Sequence, residues 1–181
     1  MSIMTTLGDV FEKVHEMSRN NHDNYVKVKD LSFEGLETLL IGDSPHTMKP
    51  IAQMSIATRL GIPFYYLKKC PAEIQRENLN YWLRHERNEE LFLRFQGNEV
   101  RAIFTPRYIP TDNLEVLDKL KSLGYVPDTW VQSSVNEQLM MVDIPDGRET
   151  FTVNGDKMTP GISMANSEVG LAALSIAAFV L

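Results

Sequence analysis

The chain has 181 residues, of which 43% are hydrophobic and 23% charged, and its formal net charge is −6. This composition is typical of globular proteins, so it excludes a disordered or fibrous chain, and the length suits one hydrophobic core better than two. The acidic balance argues against nucleic-acid binding by the whole surface, and a single cysteine excludes an intrachain disulfide. We therefore expect one domain spanning residues 1–181, in a reducing, cytoplasmic compartment.

The N-terminal part of the chain predicts a helix followed by a hairpin. Residues 5–17 place apolar side chains at the spacing of an amphipathic helix. Residues 25–28 alternate weakly, and together with residues 37–41 they favour a β-hairpin across the turn at residues 34–35. No secretory signal is expected, because residues 1–8 lack a basic segment followed by an apolar stretch.

Two helices are predicted in the middle of the chain. Pro50 lies in the first turn of an apolar-periodic stretch that stops at Gly61, which predicts the first helix. A short aromatic turn follows at residues 64–67. Pro71 opens the second helix, which reaches about residue 87 and has acidic residues near its start and basic residues near its end. The side chains of this helix expected to point inward are Ile74, Leu79, Trp82 and Leu83.

A β-hairpin is the strongest strand signal in the sequence. Residues 91–95 and 100–104 are rich in apolar and aromatic side chains, and a Gly-Asn turn at residues 97–98 lies between them. Arg94 and Arg101, or their neighbours, are expected at outward positions of this hairpin.

The C-terminal part predicts a helix, four strands and a final helix. Thr111 or Asp112 caps a helix that ends at Gly124. The final helix covers residues 170–181, and the thirteen-residue apolar run at 169–181 is shorter than the ~20 residues of a membrane span, so we expect a buried core helix. The predicted fold class is α+β, with an antiparallel β-meander and hairpins packed against about five helices. The four strands are predicted at residues 126–135, 138–144, 151–153 and 158–164.

No catalytic centre can be named in the sequence. The four histidines show no zinc-binding spacing, one cysteine rules out a Cys-x-x-Cys site, and no Gly-rich phosphate loop is present. Cys70 precedes the helix opened by Pro71 and could act as a nucleophile, but a packed small residue is the favoured interpretation. We therefore expect no enzymatic activity, no metal and no cofactor.

The middle third of the chain has a positive excess. Residues 59–107 hold nine basic and six acidic side chains, so this segment is +3 and the remainder −9. Cations along a phosphate backbone and rings that stack on bases are the usual features of a surface that binds single-stranded DNA. The alternative is that each arginine is a solvated surface charge. The candidate nucleic-acid-binding residues are Lys68, Lys69, Arg76, Arg84, Arg94, Arg101, Arg107 and Tyr108.

A second candidate site precedes the predicted final helix. Residues 159–170 combine turn residues with apolar ones. Asn166 or Ser167 would cap the helix, whose free N–H groups would then be available to an anion. Gly161, Asn166 and Ser167 are therefore candidate residues of an anion-binding loop. The alternative, a strand followed by an ordinary capped helix, is favoured.

A set of short motifs runs in order from about residue 60 to the C-terminus. The motifs are Gly61-Ile62-Pro63 with Tyr66 and Cys70-Pro71, Glu77-Asn78-Leu79-Asn80-Tyr81-Trp82-Leu83, Val100-Arg101-Ala102, Arg107-Tyr108 with Pro110, Asp112-Asn113, Gly161-Ile162-Ser163, and Asn166-Ser167-Glu168-Val169-Gly170. In this order they resemble a phage/plasmid-like protein family of unknown function. Family members continue beyond the final helix, so the resemblance implies that this chain is truncated or naturally short. It also implies a mobile-element setting rather than an activity.

The layout of the C-terminal half has a weaker resemblance. A helix at residues 112–123, a strand meander at 126–144, a Gly-containing strand and a small-residue helix resemble the core of single-strand annealing recombinases of the Rad-fifty-two type. That resemblance implies a homo-oligomer that holds single-stranded DNA in a basic groove and takes part in DNA recombination. The alternative is a non-catalytic interaction or counter-defence protein that binds a host protein. Neither hypothesis involves a membrane.

Overall fold

The computed structural model describes residues 3–147 and 150–181, and the contacts of the chain group into two compact units. The first unit comprises Met1–Arg19 and Pro110–Leu181, and the second comprises Asn20–Ile109. The first unit has six basic and thirteen acidic residues and the second has twelve and eleven, so their net charges are −7 and +1. The single domain expected from the sequence stays a prediction.

The predicted α+β class is confirmed, with five α-helices and thirteen strands among the described residues. A 3-10 turn at Val28–Asp30 links the second strand to the third. In chain order the elements are β1 (Ile3–Thr6), α1 (Leu7–Ser18), β2 (Asn21–Lys27), β3 (Leu31–Phe33), β4 (Thr38–Ile41), β5 (Ser44–Met48), α2 (Pro50–Arg59), α3 (Phe64–Lys69), α4 (Ala72–Leu83), β6 (Glu90–Gln96), β7 (Glu99–Phe104), α5 (Asn113–Ser122), β8 (Trp130–Val135), β9 (Met140–Pro145), β10 (Phe151–Val153), β11 (Asp156–Met158), β12 (Pro160–Asn166) and β13 (Ser175–Val180).

In the second unit, helices α2, α3 and α4 pack with a six-stranded sheet whose strand order is β2-β6-β7-β5-β4-β3. Strands β5 and β7 pair in parallel, whereas the other paired strands of this sheet are antiparallel. Helix α2 lies against β7 and α4 lies against β3. The core of this unit includes Phe33, Leu39, Met48, Ile56, Leu67, Leu79, Leu93, Phe95 and Ile103.

In the first unit, α1 packs on α5 and on β8 of a five-stranded antiparallel sheet with order β1-β8-β9-β12-β13. Helix α1 begins with a capping box, in which Thr6 and Asp9 exchange side-chain-to-backbone hydrogen bonds. Hydrogen bonds from the Thr6 and Thr5 hydroxyls and the Thr6 N–H lower the pKa of Asp9. The core of this unit includes Leu7, Val10, Val14, Leu117, Leu120, Val131, Met140, Val142, Ile144 and Met164.

Most elements that rest on local patterns are confirmed. The β6–β7 hairpin turns at Gly97, whose φ is 56°, and α1, α2 and α5 lie where the periodicity predicts them. The predicted aromatic turn is the short helix α3, and α4 ends at Leu83 instead of near residue 87. The four predicted strands of the C-terminal half correspond to β8, β9, β10 and β12. Local periodicity is therefore sufficient for these elements.

The predicted hairpin between residues 25–28 and 37–41 is wrong. Strand β2 pairs with β6, and β4 lies between β3 and β5. The β2–β6 pairing joins segments about 70 residues apart, and no local signal in the sequence indicates such a partner. This pairing decides the surroundings of Arg94, as described below.

The predicted C-terminal helix is also wrong. Residues 175–180 form β13, which pairs antiparallel with β12 and is exposed along most of its length. The small residues of this run suit a helix, but Ile176, Phe179 and Val180 suit a strand, and pairing with β12 outweighs local propensity. The buried core helix expected here is therefore absent from the described residues. The longest described helices have twelve residues, and none is long and apolar enough to cross a membrane.

Candidate nucleic-acid interface

Helix α4 is held to its own unit by two side-chain amides. The Asn80 side chain exchanges two hydrogen bonds of 2.8 Å with the backbone N–H and C=O of Phe33. One turn earlier, Gln75 accepts a hydrogen bond of 2.9 Å from the Leu36 N–H and donates one of 3.0 Å to the Cys70 carbonyl. These amides satisfy backbone groups that would otherwise lack partners, so α4 presents its outer face from a fixed position.

Replacement of Asn80 by alanine is expected to lower the free energy of unfolding by about 2 kcal/mol, because it leaves the Phe33 N–H and C=O partly buried and unsatisfied. Urea unfolding followed by circular dichroism measures the difference. The matched control is Asn78→Ala, since the Asn78 amide donates only to the Ile74 carbonyl of the same helix. Equal stabilities for the two variants would contradict the role given to Asn80.

Three rings cluster at the end of α4, and we call Tyr81, Trp82 and His85 the aromatic cluster. The ring centroids of Tyr81 and Trp82 are 5.2 Å apart with perpendicular planes, and His85 lies 4.9 Å from Tyr81. The His85 Nδ1 atom is 2.8 Å from the Tyr81 carbonyl oxygen, which fixes the imidazole on the helix end. Tyr81 is 51% exposed and Trp82 is 45% exposed. The cluster therefore offers partly free ring faces to solvent.

A groove of about 1200 Å³ lies beside α4, between this helix, the Val28–Asp30 turn and the chain that leads into β6. Its floor includes the apolar side chains of Val28, Leu31 and Leu83. Basic and acidic side chains line the walls in equal number, and we call this feature the charged groove. The charged residues are Lys27, Lys29, Arg84, Arg87, Glu77, Glu86, Glu89 and Glu90.

Glu86 is the carboxylate of the charged groove with the most internal partners. Burial would raise its pKa, but the N–H groups of Asn88 and the Arg59 guanidinium together hold the pKa below its ordinary value. Arg59 Nη1 lies 3.4 Å from the Glu86 carboxylate oxygen. Glu86 is therefore ionised and internally compensated, and it adds little negative potential at the groove mouth.

Helix α3 adds a second group of rings and cations. Tyr65 is 81% exposed and Tyr66 is 55% exposed, and Lys68 and Lys69 follow them on the surface. A hydrogen bond with the Cys70 side chain raises the pKa of the Tyr66 phenol. The Cys70 thiol is half-buried and its Sγ lies 3.4 Å from the Tyr66 carbonyl, within reach of a hydrogen bond to the end of the helix.

The remaining predicted residues on the surface differ in what they offer. Arg84 and Arg107 are exposed, and neither forms an ion pair with a described residue. Arg76 is exposed and lies 3.6 Å from Glu77. Tyr108 is half-buried, and Phe104 stacks on one face of its ring with a centroid distance of 3.7 Å. Tyr108 therefore packs within its own unit, and Phe104 already covers one of the two ring faces on which a base could stack.

The expectation that Arg94 and Arg101 point outward is wrong. Arg94 is 2% exposed and Arg101 is 6% exposed. The Arg94 Nε atom lies 3.0 Å from the Asp23 carboxylate, on the neighbouring strand β2. A register shift between Arg94 and Phe95 interrupts the β6–β7 pairing there. Neither guanidinium is placed to contact a phosphate backbone.

The anion-binding loop loses the helix on which it depends. No helix follows Ser167 among the described residues, and the Ser167 hydroxyl donates to the Gln138 carbonyl at 2.6 Å. The Asn166 amide donates to the Asn113 side chain and to the Thr111 carbonyl, both at 2.9 Å. Gly161 lies inside β12, under the ring of Phe179. These side chains hold their own unit together.

The neighbouring Glu168 explains part of this arrangement. Glu168 is 6% exposed, and its carboxylate accepts a hydrogen bond of 2.8 Å from the N–H of Asn113, the first residue of α5. A carboxylate at this position satisfies a free N–H group and complements the helix dipole. The segment after β12 therefore caps α5, and the order of its polar residues reflects that contact.

Several residues of the interface were not predicted from the sequence. Trp82 was assigned to the core, and the candidates did not include Tyr65, Tyr66 or Tyr81. A signal that could have found them is the pair of adjacent aromatic doublets at residues 65–66 and 81–82, because neighbouring side chains of a helix point about 100° apart and a narrow buried stripe covers only one of them. Cations missed in the charged groove are Lys27, Lys29 and Arg87.

No protein-family model, curated protein or solved structure matches this chain. The phage/plasmid family membership therefore stays a prediction from the motifs. The annealing-protein resemblance stays a prediction from the order of elements, in which strand β13 replaces the expected final helix.

Proposed function

We propose that the second unit binds single-stranded nucleic acid, with single-stranded DNA as the expected ligand, through the surface formed by α3, α4 and the charged groove. The observation that carries the proposal is the combination, in one unit, of exposed aromatic rings with cations that have no carboxylate partner. A groove of cations tracks a phosphate backbone, and rings stack on bases of any sequence.

The cations support this proposal by their lack of internal pairing. Seven basic side chains of the second unit are exposed and form no ion pair with a described residue. When lysine and arginine side chains contact phosphates, they displace the cations that are condensed on the nucleic acid. The release of these cations is the usual source of affinity for nucleic acid. The acidic first unit, at −7, disfavours phosphate on its own surface. The seven residues are Lys27, Lys29, Lys68, Lys69, Arg84, Arg87 and Arg107.

The exposed rings supply the second part of the site. Tyr81 and Trp82 lie on α4 next to Arg84, and Tyr65 and Tyr66 lie on α3 next to the Lys68–Lys69 pair. Base–aromatic stacking contributes about 1–3 kcal/mol per base. One lost platform therefore predicts a loss of about tenfold in affinity.

Trp82→Ala is expected to weaken binding of a labelled oligothymidylate of about 20 nucleotides by about tenfold, measured by fluorescence anisotropy at low salt. The matched control is Trp130→Ala, because Trp130 is similarly exposed but lies on β8 of the acidic first unit. In Trp130→Phe, the only tryptophan left is Trp82, and its emission should be quenched on binding. Affinity should also fall steeply as salt rises.

Absence of binding by the wild-type chain at low salt would refute the proposal. Equal losses in Trp82→Ala and Trp130→Ala would contradict the placement of the site on α4. Binding that does not depend on salt would exclude phosphate contacts as its source.

A second candidate function is recognition of a host protein, and the mixed charge of the charged groove favours it. Four carboxylates line this groove with the four cations, an arrangement that suits a partner surface carrying both charges. Ile74, Tyr81 and Trp82 are exposed on α4, and tyrosine, tryptophan and arginine are the residue types that dominate binding energy at protein interfaces. Salt-dependent binding of the oligothymidylate would support the first candidate, whereas its absence at low salt would leave the second.

A further inference from the structure

The free edge of strand β13 has a defined set of outward backbone groups. Thr159 and Leu181 exchange two backbone hydrogen bonds of 2.9 Å, directly after the pairing of Pro160 with Val180. Bonded and non-bonded positions alternate along an antiparallel pair, so the N–H and C=O groups of residues 175, 177 and 179 face β12. Those of Ile176, Ala178 and Val180 face the other way. Among the described strands, β12 is the sole neighbour of β13.

The same three residues carry apolar side chains that the helices of the first unit leave uncovered. Ile176 pairs with the buried Met164 and Ala178 pairs with Ile162, so their side chains lie on the core side of the sheet. Ile176 is nevertheless 64% exposed and Val180 is 54% exposed. Strand β13 contains no charged residue, proline or glycine, which are the usual means of protecting an edge from pairing.

We propose that β13 pairs antiparallel with β13 of a second copy of this chain, around a twofold axis at Ala178. In that register Ala178 lies opposite the partner's Ala178, and Ile176 lies opposite the partner's Val180. All outward N–H and C=O groups of the three residues then find partners. The apolar side chains of both copies fall on one side of the joined sheet.

The occupant is a second copy because the edge is complementary to itself. The outward groups occur at every second residue and are symmetric about Ala178, as a twofold axis requires of a shared patch. If the twofold axis lay between two residues, backbone groups that face β12 in one copy would lie opposite outward backbone groups of the other copy. The paired side chains would then lie on opposite sides of the joined sheet. Since each first unit is at −7, salt should screen repulsion between the copies and favour the pair.

The first test is the oligomeric state of the whole chain and of Ala178→Pro, measured by light scattering over a concentration series. Proline is tolerated on an edge strand where the N–H faces outward, so the variant should keep β12–β13 pairing while losing the central bonds on both copies. The dimer dissociation constant should rise by at least about tenfold, and Ala178→Ser should leave it unchanged. A wild-type chain that stays monomeric, or a dimer unaffected by the proline, would overturn the proposal.

The second test reads the register and does not depend on the proline variant. With Cys70 replaced by serine, Ala178→Cys places the new thiol opposite its own copy, at a Cα separation of about 5.5 Å that a disulfide can bridge. Ala177→Cys faces the partner's Phe179 and is too far from its own copy. Oxidation should crosslink the first variant and spare the second. Equal crosslinking, or none in either, would exclude this register. Nucleic-acid binding weakens with salt whereas the pair does not, so failure of one proposal leaves the other testable.

Discussion

Replacement of Arg94 by alanine is expected to lower the free energy of unfolding by about 3 kcal/mol, a loss that reflects folding rather than ligand binding. Arg94 is among the largest fully buried side chains of the chain, with 2% of its surface exposed. Its Nε donates to the Asp23 carboxylate at 3.0 Å, across adjacent strands where the two residues are direct register partners. Removing the guanidinium leaves a void and a partly buried carboxylate without this partner.

The measurement is urea unfolding followed by circular dichroism, with Arg107→Ala as the matched control. Arg107 is exposed and pairs with no described carboxylate, so its removal should change stability by less than about 0.5 kcal/mol. In oligonucleotide binding the order of the two variants should be reversed, with the larger effect in Arg107→Ala. Arg107→Ala should weaken it at unchanged stability. If Arg94→Ala kept wild-type stability and lost binding instead, the arginine would be a ligand contact and its burial would not describe the protein in solution.

The predicted and observed positions of the Arg94 side chain show how far the sequence can predict this fold. The β6–β7 hairpin is encoded locally by two apolar runs and the turn at residues 97–98, and it was predicted correctly. Whether Arg94 faces solvent depends on β2, whose pairing with β6 joins distant segments. Alternation within a hairpin distinguishes two faces but does not tell which of them another strand or layer will cover. A buried ion pair between distant strands was therefore beyond prediction from one sequence.

The same limit explains Trp82. Helical periodicity groups Ile74, Leu79, Trp82 and Leu83 in a broad apolar sector, which is typical of a helix buried on a wide face. In the structure only the stripe of Leu79 and Leu83 is buried, because α4 packs chiefly on the short edge strand β3. The rest of the sector forms the exposed rim that carries the candidate site. The width of the covering layer, which periodicity does not reveal, decides between core and surface here.

The C-terminal strand illustrates a conflict between propensity and pairing. Alanines in residues 172–178 favour a helix, whereas the neighbouring β12 offers a complete row of partners for a strand. Backbone pairing along six residues outweighs a few tenths of a kcal/mol per residue of helix preference. The predicted anion site depended on the N-terminus of this helix, so it is absent when the segment forms a strand. Gly161 instead lies in the closely packed middle of the sheet.

Gly161→Ala is expected to lower the free energy of unfolding by about 3 kcal/mol, because the strand pairing leaves no room for a methyl group. A Cβ at this position would lie 2.7 Å from the Ile144 carbonyl oxygen and would overlap the ring of Phe179, its register partner on β13. The carbonyl belongs to the backbone of β9 and cannot rotate aside as a side chain can. Either β9 or β13 must therefore move away from β12.

The control for this variant is Gly147→Ala, since a Cβ there would meet no atom of the described residues within 4 Å and Gly147 is not among the described glycines with a positive φ. Its stability should stay within about 0.5 kcal/mol of the wild type. Because β13 depends on β12, Gly161→Ala should also weaken association of the chain through the β13 edge, which links the two effects. Unchanged stability with altered phosphate binding would restore Gly161 to the anion-binding loop. Unchanged stability alone would show that β9, β12 and β13 are packed less closely than their register implies.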